Sequence, residues 1–392
     1  VRSLFLYLLF TSGNGIYYLL PLFSDAFKKS DSYSSIEMAL LLSIELFIKP
    51  LAIIFSQSFL PFFLRKRCLI AIILLMASCN LLSAFFTNFM SLFSLRLLVG
   101  LLSAALAMVV YHNFSQADNP EREYSLSLLI LIAVGAISLG AFSLIPATIP
   151  ALFTIVFLIS IAPLFLLLFL GKGKSSWEQA ISTPQTRKTQ ESDSQSTAPV
   201  LPLNAILCLL AIFVFFAAMN VVWVDFLNLG SIAGMSSDKV AALLSMSLIF
   251  SFLGAALAVK VSLTNTPWQY RLLFLPLLLI LLSLLIYFIA PGRISFYQLV
   301  IVFDFLYAFA IPFQAGLVSN FDRSGRGALF IPAVQGTGLT LGAFLSAKVA
   351  EHGSLQSIFL SVLLILLAST LWVFLRFQTR MTSNTDVNYS GN

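Results

Sequence analysis

The chain has 392 residues, of which 59% are hydrophobic and 10% charged, with a net charge of +6. A soluble domain carries about 25% charged residues, and one of this length has no core large enough to hide so much apolar side chain, so the surplus, including 38 Phe, must face lipid. The basic excess suits the cytoplasmic loops of a membrane protein and argues against a nucleic-acid partner, while three scattered cysteines (Cys68, Cys79, Cys208) and two distant histidines (His112, His352) exclude a disulfide framework, a metal centre and a histidine-built catalytic site.

In chain order, twelve apolar runs stand at about 3–23, 36–57, 68–88, 91–114, 125–147, 150–170, 201–225, 239–260, 270–290, 295–317, 327–349 and 355–376. A helix needs roughly 20 apolar residues to cross about 30 Å of hydrocarbon. Continuous runs such as Leu272 to Ile289 are helical, since barrel strands alternate over about ten residues. The first run exceeds the roughly 7–15 apolar residues of a signal peptide, so it is expected to be the first membrane helix. Residues 171–199, rich in Ser, Thr and Gln, cannot bury enough apolar surface to fold alone. The expected fold is therefore an all-α membrane protein of about twelve transmembrane helices in two pseudo-symmetric six-helix bundles, 1–170 and 201–380, with a cytoplasmic linker over 171–200 and a cytoplasmic tail over 381–392.

Placing the N-terminus inside puts fifteen Lys and Arg on cytoplasmic segments, five outside and two in the membrane. That bias predicts both termini in the cytoplasm, here of a bacterial cytoplasmic membrane. The halves also echo each other. Leu139-Gly140-Ala141-Phe142 in the fifth run matches Leu341-Gly342-Ala343-Phe344 in the eleventh, and Asn14 and Tyr17 in the first match Asn220 and Trp223 in the seventh. An internal duplication of the kind many transporters carry accounts for both.

With its six-plus-six layout and polar linker, the chain resembles the major facilitator superfamily over nearly its whole length. Between the second and third runs the chain reads Ser56 to Leu64 and then Arg65-Lys66-Arg67, similar to the family's basic loop although the family's Asp is missing. The fourth run, Arg96-Leu-Leu-Val-Gly100 followed by Ser103-Ala104-Ala105, is similar to the family's Arg-x-x-x-Gly pattern. Gly135, Ala136, Gly140 and Ala141 resemble its glycine-rich helix without the Pro, and Asp322 to Gly327 its tenth-to-eleventh loop. Small residues four apart also let helices pack closely whatever their function, so Gly100, Gly135, Gly140 and Gly342 are read as gating or packing positions. The resemblance implies alternating access by two bundles, with the first, fourth, seventh and tenth helices lining a solute cavity.

Charges inside a bilayer are costly and face a cavity or a partner. Glu45 and Lys49 lie four apart on one face of the second run, with Pro50 next as a candidate kink. They are either a structural ion pair or a titratable carboxylate with a cationic neighbour. Asp304, about nine residues into the tenth run, has no opposite charge within a turn and is the first candidate for proton uptake. Arg96 stays protonated and serves as a tether, an anion ligand or a tuner of a nearby carboxylate. Glu45, Lys49, Arg96 and Asp304 thus form the candidate charge relay. Asp225 and Lys348, near helix ends, are assigned to structure or gating. Asn14, Tyr17, Tyr18, Asn220, Trp223, Tyr307 and Gln314 are the candidate cavity residues, although Tyr and Trp also serve as interfacial anchors.

No Gly-x-x-x-x-Gly-Lys-Ser/Thr stretch occurs, so ATP is not expected to drive the protein. No catalytic set, metal site or cofactor motif stands out, and an intramembrane acyltransferase lacks its acid–base pair. The expected function is secondary transport of a small organic solute by a monomer, with proton-coupled export first, metabolite import second, and a non-transporting receptor of transporter-like fold as the other class. Expected partners are the solute, the lipid bilayer and protons.

Overall fold

The computed structural model describes residues 2–30, 32–142, 146, 148–170, 201–262, 269–290, 294–322, 324–350 and 359–372. The expected linker over 171–200 and tail over 381–392 lie outside the described residues, as does the backbone of His352 and Arg323. The helices are α1 Arg2–Ser12, α2 Ile16–Lys29, α3 Ser35–Ser56, α4 Leu60–Phe63, α5 Lys66–Leu82, α6 Phe89–Ser115, α7 Pro120–Ala141, α8 Ile149–Leu170, α9 Leu203–Ile232, α10 Ser237–Ser262, α11 Gln269–Ile289, α12 Phe296–Phe321 and α13 Arg326–Ala350, with α14 Phe359–Trp372 closing the described chain. Apart from α4, which lies between the second and third runs, they map onto the twelve apolar runs, with α1 and α2 sharing the first. Among the described residues seven stretches, led by Leu203–Phe226 and Phe89–Ser115, are long and apolar enough to cross a membrane. Large apolar side chains such as Phe55, Phe85 and Ile137 are more than two-thirds exposed, the surface an integral membrane protein turns to lipid.

Starts are set by local chemistry. Asn88 caps α6 by accepting from the backbone of Met90 and Ser91. Ser34 and Glu37 form a capping box on α3, and Ser295 and Gln298 form one on α12, each satisfying two backbone donors that a helix start leaves over. The fifth run begins earlier than its apolar pattern suggested, at Pro120. Pro is tolerated in a first turn, and Asn119 Oδ1 accepts from the Arg122 N–H. Helix α3 continues through Pro50.

The first run differs from expectation. It is two helices, α1 and α2, separated by Gly13-Asn14-Gly15. Two glycines within three residues weaken helix propensity by about 1 kcal/mol each. The Tyr17 N–H, which would reach Gly13 O in a continuous helix, bonds to Asn14 O instead at 3.1 Å. Gly13 O is thereby left to another donor.

Close contacts divide the chain into two compact units, Val1–Val200 with Ala328–Ala333, and Leu201–Gly327 with Val334–Asn392. In the first unit α6 is the buried centre, with Val99, Leu106, Met108 and Val109 fully enclosed. It packs on α3 and α5, while α1 packs on α7 and α8. In the second unit α12 is central and packs on α10, α11 and α9.

Candidate functional site

In the first unit the site starts from a close approach of α3 and α6. A Cβ at Gly100 would collide with the Ile48 side chain and sit 3.0 Å from Glu45 O, so glycine lets the two backbones meet there with Ile48 in place. Arg96 stands one turn before Gly100, and the approach lays its guanidinium on Glu45, with Nη1 3.3 Å from Oε2. Its Nη2 donates to Asn80 Oδ1 and to Ser83 Oγ, both at 2.8 Å. Asn80 Nδ2 in turn donates to Ser160 Oγ at 2.8 Å, and the Phe153 ring lies 4.8 Å from the guanidinium carbon. Four helices, α3, α5, α6 and α8, thus share one buried polar network. Every hydrogen bond in it satisfies a group whose exposure to hydrocarbon would cost several kcal/mol. A narrow crevice of about 10 Å³, lined by Leu20, Phe23, Leu41, Leu46, Glu45 and Arg96 among others, has room for roughly one water molecule.

Glu45 therefore meets Arg96 and not Lys49, despite the four-residue spacing on α3. The Lys49 ammonium turns to the break between α1 and α2, donating to Gly13 O at 3.0 Å and to Asn14 Oδ1 at 2.6 Å. It lies 5.8 Å from the Tyr17 ring centroid. The carbonyl that the break leaves over is thus satisfied by a lysine, at the negative end of the α1 dipole. Tyr18 lies under Gly135 of α7, where a Cβ would approach its ring to 2.6 Å. Gly140 sits in the last turn of α7, and its surroundings lie outside the described part of the chain.

In the second unit the corresponding approach joins α10 and α12. A Cβ at Gly254 would strike the Phe305 backbone carbonyl. Ser247, Ser251 and Gly254 follow the spacing that puts residues on one helical face, and this face meets Asp304. The Ser247 hydroxyl hydrogen-bonds to Asp304 Oδ2, and the Ser251 hydroxyl reaches the Asp304 backbone carbonyl at 3.4 Å. Asp304 is 2% exposed. Among the described residues no charged side chain acts on its carboxyl; the groups that do are its apolar surroundings and Ser247.

A string of rings joins α9 to α12. Tyr307 stacks with Phe303 (centroids 6.2 Å apart) and with Phe215 (5.9 Å), Phe303 meets Phe226 at 5.2 Å, and Phe226 meets Trp223 at 5.8 Å. Trp223 is 39% exposed and ends the string. Asn220 does not join it: its amide donates to Leu339 O at 2.6 Å. There α9 and α13 touch closely, since a Cβ on Gly342 would strike Ala217 O. Gln314, further along α12, is fully buried, and among the described residues neither end of its amide has a partner. Asp225 is buried on α9. The side chain of Lys348 lies outside the described part. The Asp322 carboxylate organises the turn into α13, accepting from the Gly327 N–H at 2.6 Å and from the Ser324 N–H at 3.1 Å.

The candidate charges thus fall into two places. Glu45, Arg96 and Lys49 gather with Asn14 and Tyr17 in the first unit, and Asp304 stands with Tyr307 nearby in the second. Sequence reasoning missed Asn80, Ser83, Ser160 and Ser247, the neutral partners of the charges. Asn80, deep in an apolar run, was the one visible signal. Serines are frequent in such runs, and many bond only to their own helix, as Ser138 does to Val134 O. Among the described residues no group of three His, Cys, Asp or Glu side chains stands close enough to hold a metal ion.

The solved structures this chain superposes on include transporters. The chain superposes on a major facilitator superfamily transporter, FucP, solved in an outward conformation, with a TM-score of 0.69, 16% identity, and coverage of 95% of this chain and 97% of that one. The chain has the major facilitator fold. A point variant of that protein is described as the E. coli fucose:proton symporter. The human organic anion transporter MFSD10 matches with a TM-score of 0.65 and 14% identity over 95% of this chain and 97% of that one. The proton:xylose symporter XylE gives 0.64 and 16% over 95% and 94%. No family model matches the chain, and no curated protein matches it in sequence.

Proposed function

We propose that this protein is a secondary transporter that moves a small organic solute by alternating access of its two six-helix halves, with a proton carried on Asp304. The observation that carries the proton reading is the contrast between the two buried carboxylates. Glu45 has a guanidinium against it, whereas Asp304 has a hydroxyl. A carboxyl held by neutral groups in an apolar setting is chemically able to gain and release a proton, the act that coupling requires. The basic-residue bias supports both termini on the cytoplasmic side. The aromatic string from Phe215 to Trp223 supports a solute with an apolar face, and the orphaned Gln314 amide supports one that also offers hydrogen-bonding groups.

Proton-driven export is the first direction to test. Import by symport is the second reading, favoured by the fucose:proton and proton:xylose symporters among the structural neighbours. Proteoliposomes holding the purified chain, given an imposed pH gradient and a radiolabelled panel of pentoses, hexoses and amphipathic organic anions, separate the two by the sign of the flux. Asp304→Asn is expected to abolish gradient-driven flux while leaving exchange down a solute gradient. If gradient-driven flux survives both Asp304→Asn and Glu45→Gln, the proton reading fails.

A further inference from the structure

Ser247 Oγ lies against two acceptors at once. One is Asp304 Oδ2 on α12 and the other is Leu244 O on its own helix, at 2.7 Å. A serine hydroxyl owns one hydrogen, so it donates to one of the two at a time, while its oxygen remains free to accept. When Asp304 is ionised, its carboxylate can only accept, and the Ser247 hydrogen must turn to it. When Asp304 is protonated, the acid donates to Ser247 Oγ, and the Ser247 hydrogen turns to Leu244 O. Both arrangements keep the Ser247 hydroxyl and Asp304 Oδ2 hydrogen-bonded, and the heavy atoms need not move.

We infer that Ser247 is the positioning residue for the proton on Asp304: its hydroxyl reverses direction with the protonation state of the acid and so links α12 to the backbone of α10. This rests on the proton reading above and adds to it the group that makes both states of the acid tolerable in hydrocarbon. The single proton gained by Asp304 comes from water on the side of higher proton concentration. The Ser247 proton is redirected, never lost, so one proton is carried per cycle.

The surroundings leave Ser247 this role. On α10, Asp238 lies nine residues before Ser247, Lys239 eight before it and Lys260 thirteen after it, roughly 14, 12 and 20 Å of helical rise away. On α11 the titratable groups are Tyr270, Arg271 and Tyr287, on α9 Cys208 and Asp225, and on α12 itself Tyr297 and Tyr307. The groups that act on the Asp304 carboxyl are its apolar surroundings and the Ser247 hydroxyl, while the side chains of Asp238, Tyr270 and Arg271 lie outside the described part. Gly254, two turns beyond Ser247, holds the helices at the separation the bond needs.

Infrared difference spectra of the full chain in lipid, taken between alkaline and acid buffer, test this without a solute, because the probe is the proton. The protonated-carboxyl C=O stretching band that Asp304→Asn removes is expected to move to higher frequency in Ser247→Ala, which withdraws the hydrogen-bond partner, and to stay in place in Ser247→Thr, which keeps the hydroxyl. Should Ser247→Ala fail to fold, Ser247→Cys, whose sulfur is a weak acceptor for the acid's hydrogen, is expected to move the band the same way. A band lost in Asp304→Asn but unmoved in Ser247→Ala or Ser247→Cys overturns the role of Ser247 and leaves the proton reading standing. If Asp304→Asn removes no band, the proton reading itself falls.

Discussion

The α3–α6 crossing in the first unit and the α10–α12 crossing in the second are built alike and filled differently. Each brings two helices to backbone contact at a glycine, Gly100 in one and Gly254 in the other, and each buries a carboxylate beside the contact. Around Glu45 the sequence supplies Arg96, Asn80, Ser83 and Ser160, a network that compensates the charge and ties four helices together. Around Asp304 it supplies serines. One geometry thus serves two ends. A compensated pair fixes structure, because removing either member strands the other. A carboxyl among neutral groups leaves its proton free to come and go. The first helix of each half repeats the lesson. Where Asn14 sits, the helix is broken and pinned by Lys49. Where Asn220 sits, α9 runs on unbroken, and its amide bonds to α13.

The sharpest test of this difference is to remove a partner on each side. Arg96→Met should lower the unfolding free energy by about 3–5 kcal/mol by stranding Glu45, read as a lower melting midpoint in detergent and a smaller folded yield. Asp304→Asn should cost far less, about 1 kcal/mol at most, because an amide can still donate to Ser247. Equal losses would erase the distinction between a fixing and an exchanging carboxylate.

The glycine contacts rank next. Gly254→Ala should cost about 3 kcal/mol, the upper end for overpacking, since the added methyl meets a backbone carbonyl that cannot turn aside. Gly100→Ala should cost less, because the Ile48 side chain can rotate away. Melting curves of the two variants read the order directly.

A smaller effect separates the two asparagine sites. Lys49→Met should cost about 1–2 kcal/mol by leaving Gly13 O without its donor, and should raise amide hydrogen exchange around residues 13–17. Asn220→Ala should cost about 0.6 kcal/mol, a typical interhelical hydrogen bond in a membrane, with no local rise in exchange along α9.

The smallest difference is in the two capping boxes. The Ser34 backbone and hydroxyl bonds hold the Glu37 carboxyl below its usual 4.5. Its stabilising share is therefore complete above that value and is lost as the pH falls through the lowered one. The Gln298 box on α12 has nothing to titrate. Acidification should fray the start of α3 and leave that of α12 intact, seen as faster exchange at residues 35–38 alone.

Chain order and composition alone determined the twelve apolar runs and their approximate ends, because a bilayer demands long apolar runs whose polar backbone is satisfied within each helix. They also marked Glu45, Lys49, Arg96 and Asp304, since any charge stands out in such a background. The choice of partner lay beyond them. Glu45 and Lys49 are neighbours by helical spacing, yet one turns to Arg96 on α6 and the other to the broken α1. Both side chains are long, and their bonds depend on which helix is brought close by a glycine and which carbonyl a break has freed. The break itself came from two glycines flanking Asn14 inside an otherwise apolar run. Ser247 was invisible in advance for the same reason: a serine on an apolar helix acquires chemistry only when a tertiary contact sets a carboxyl against its one hydrogen.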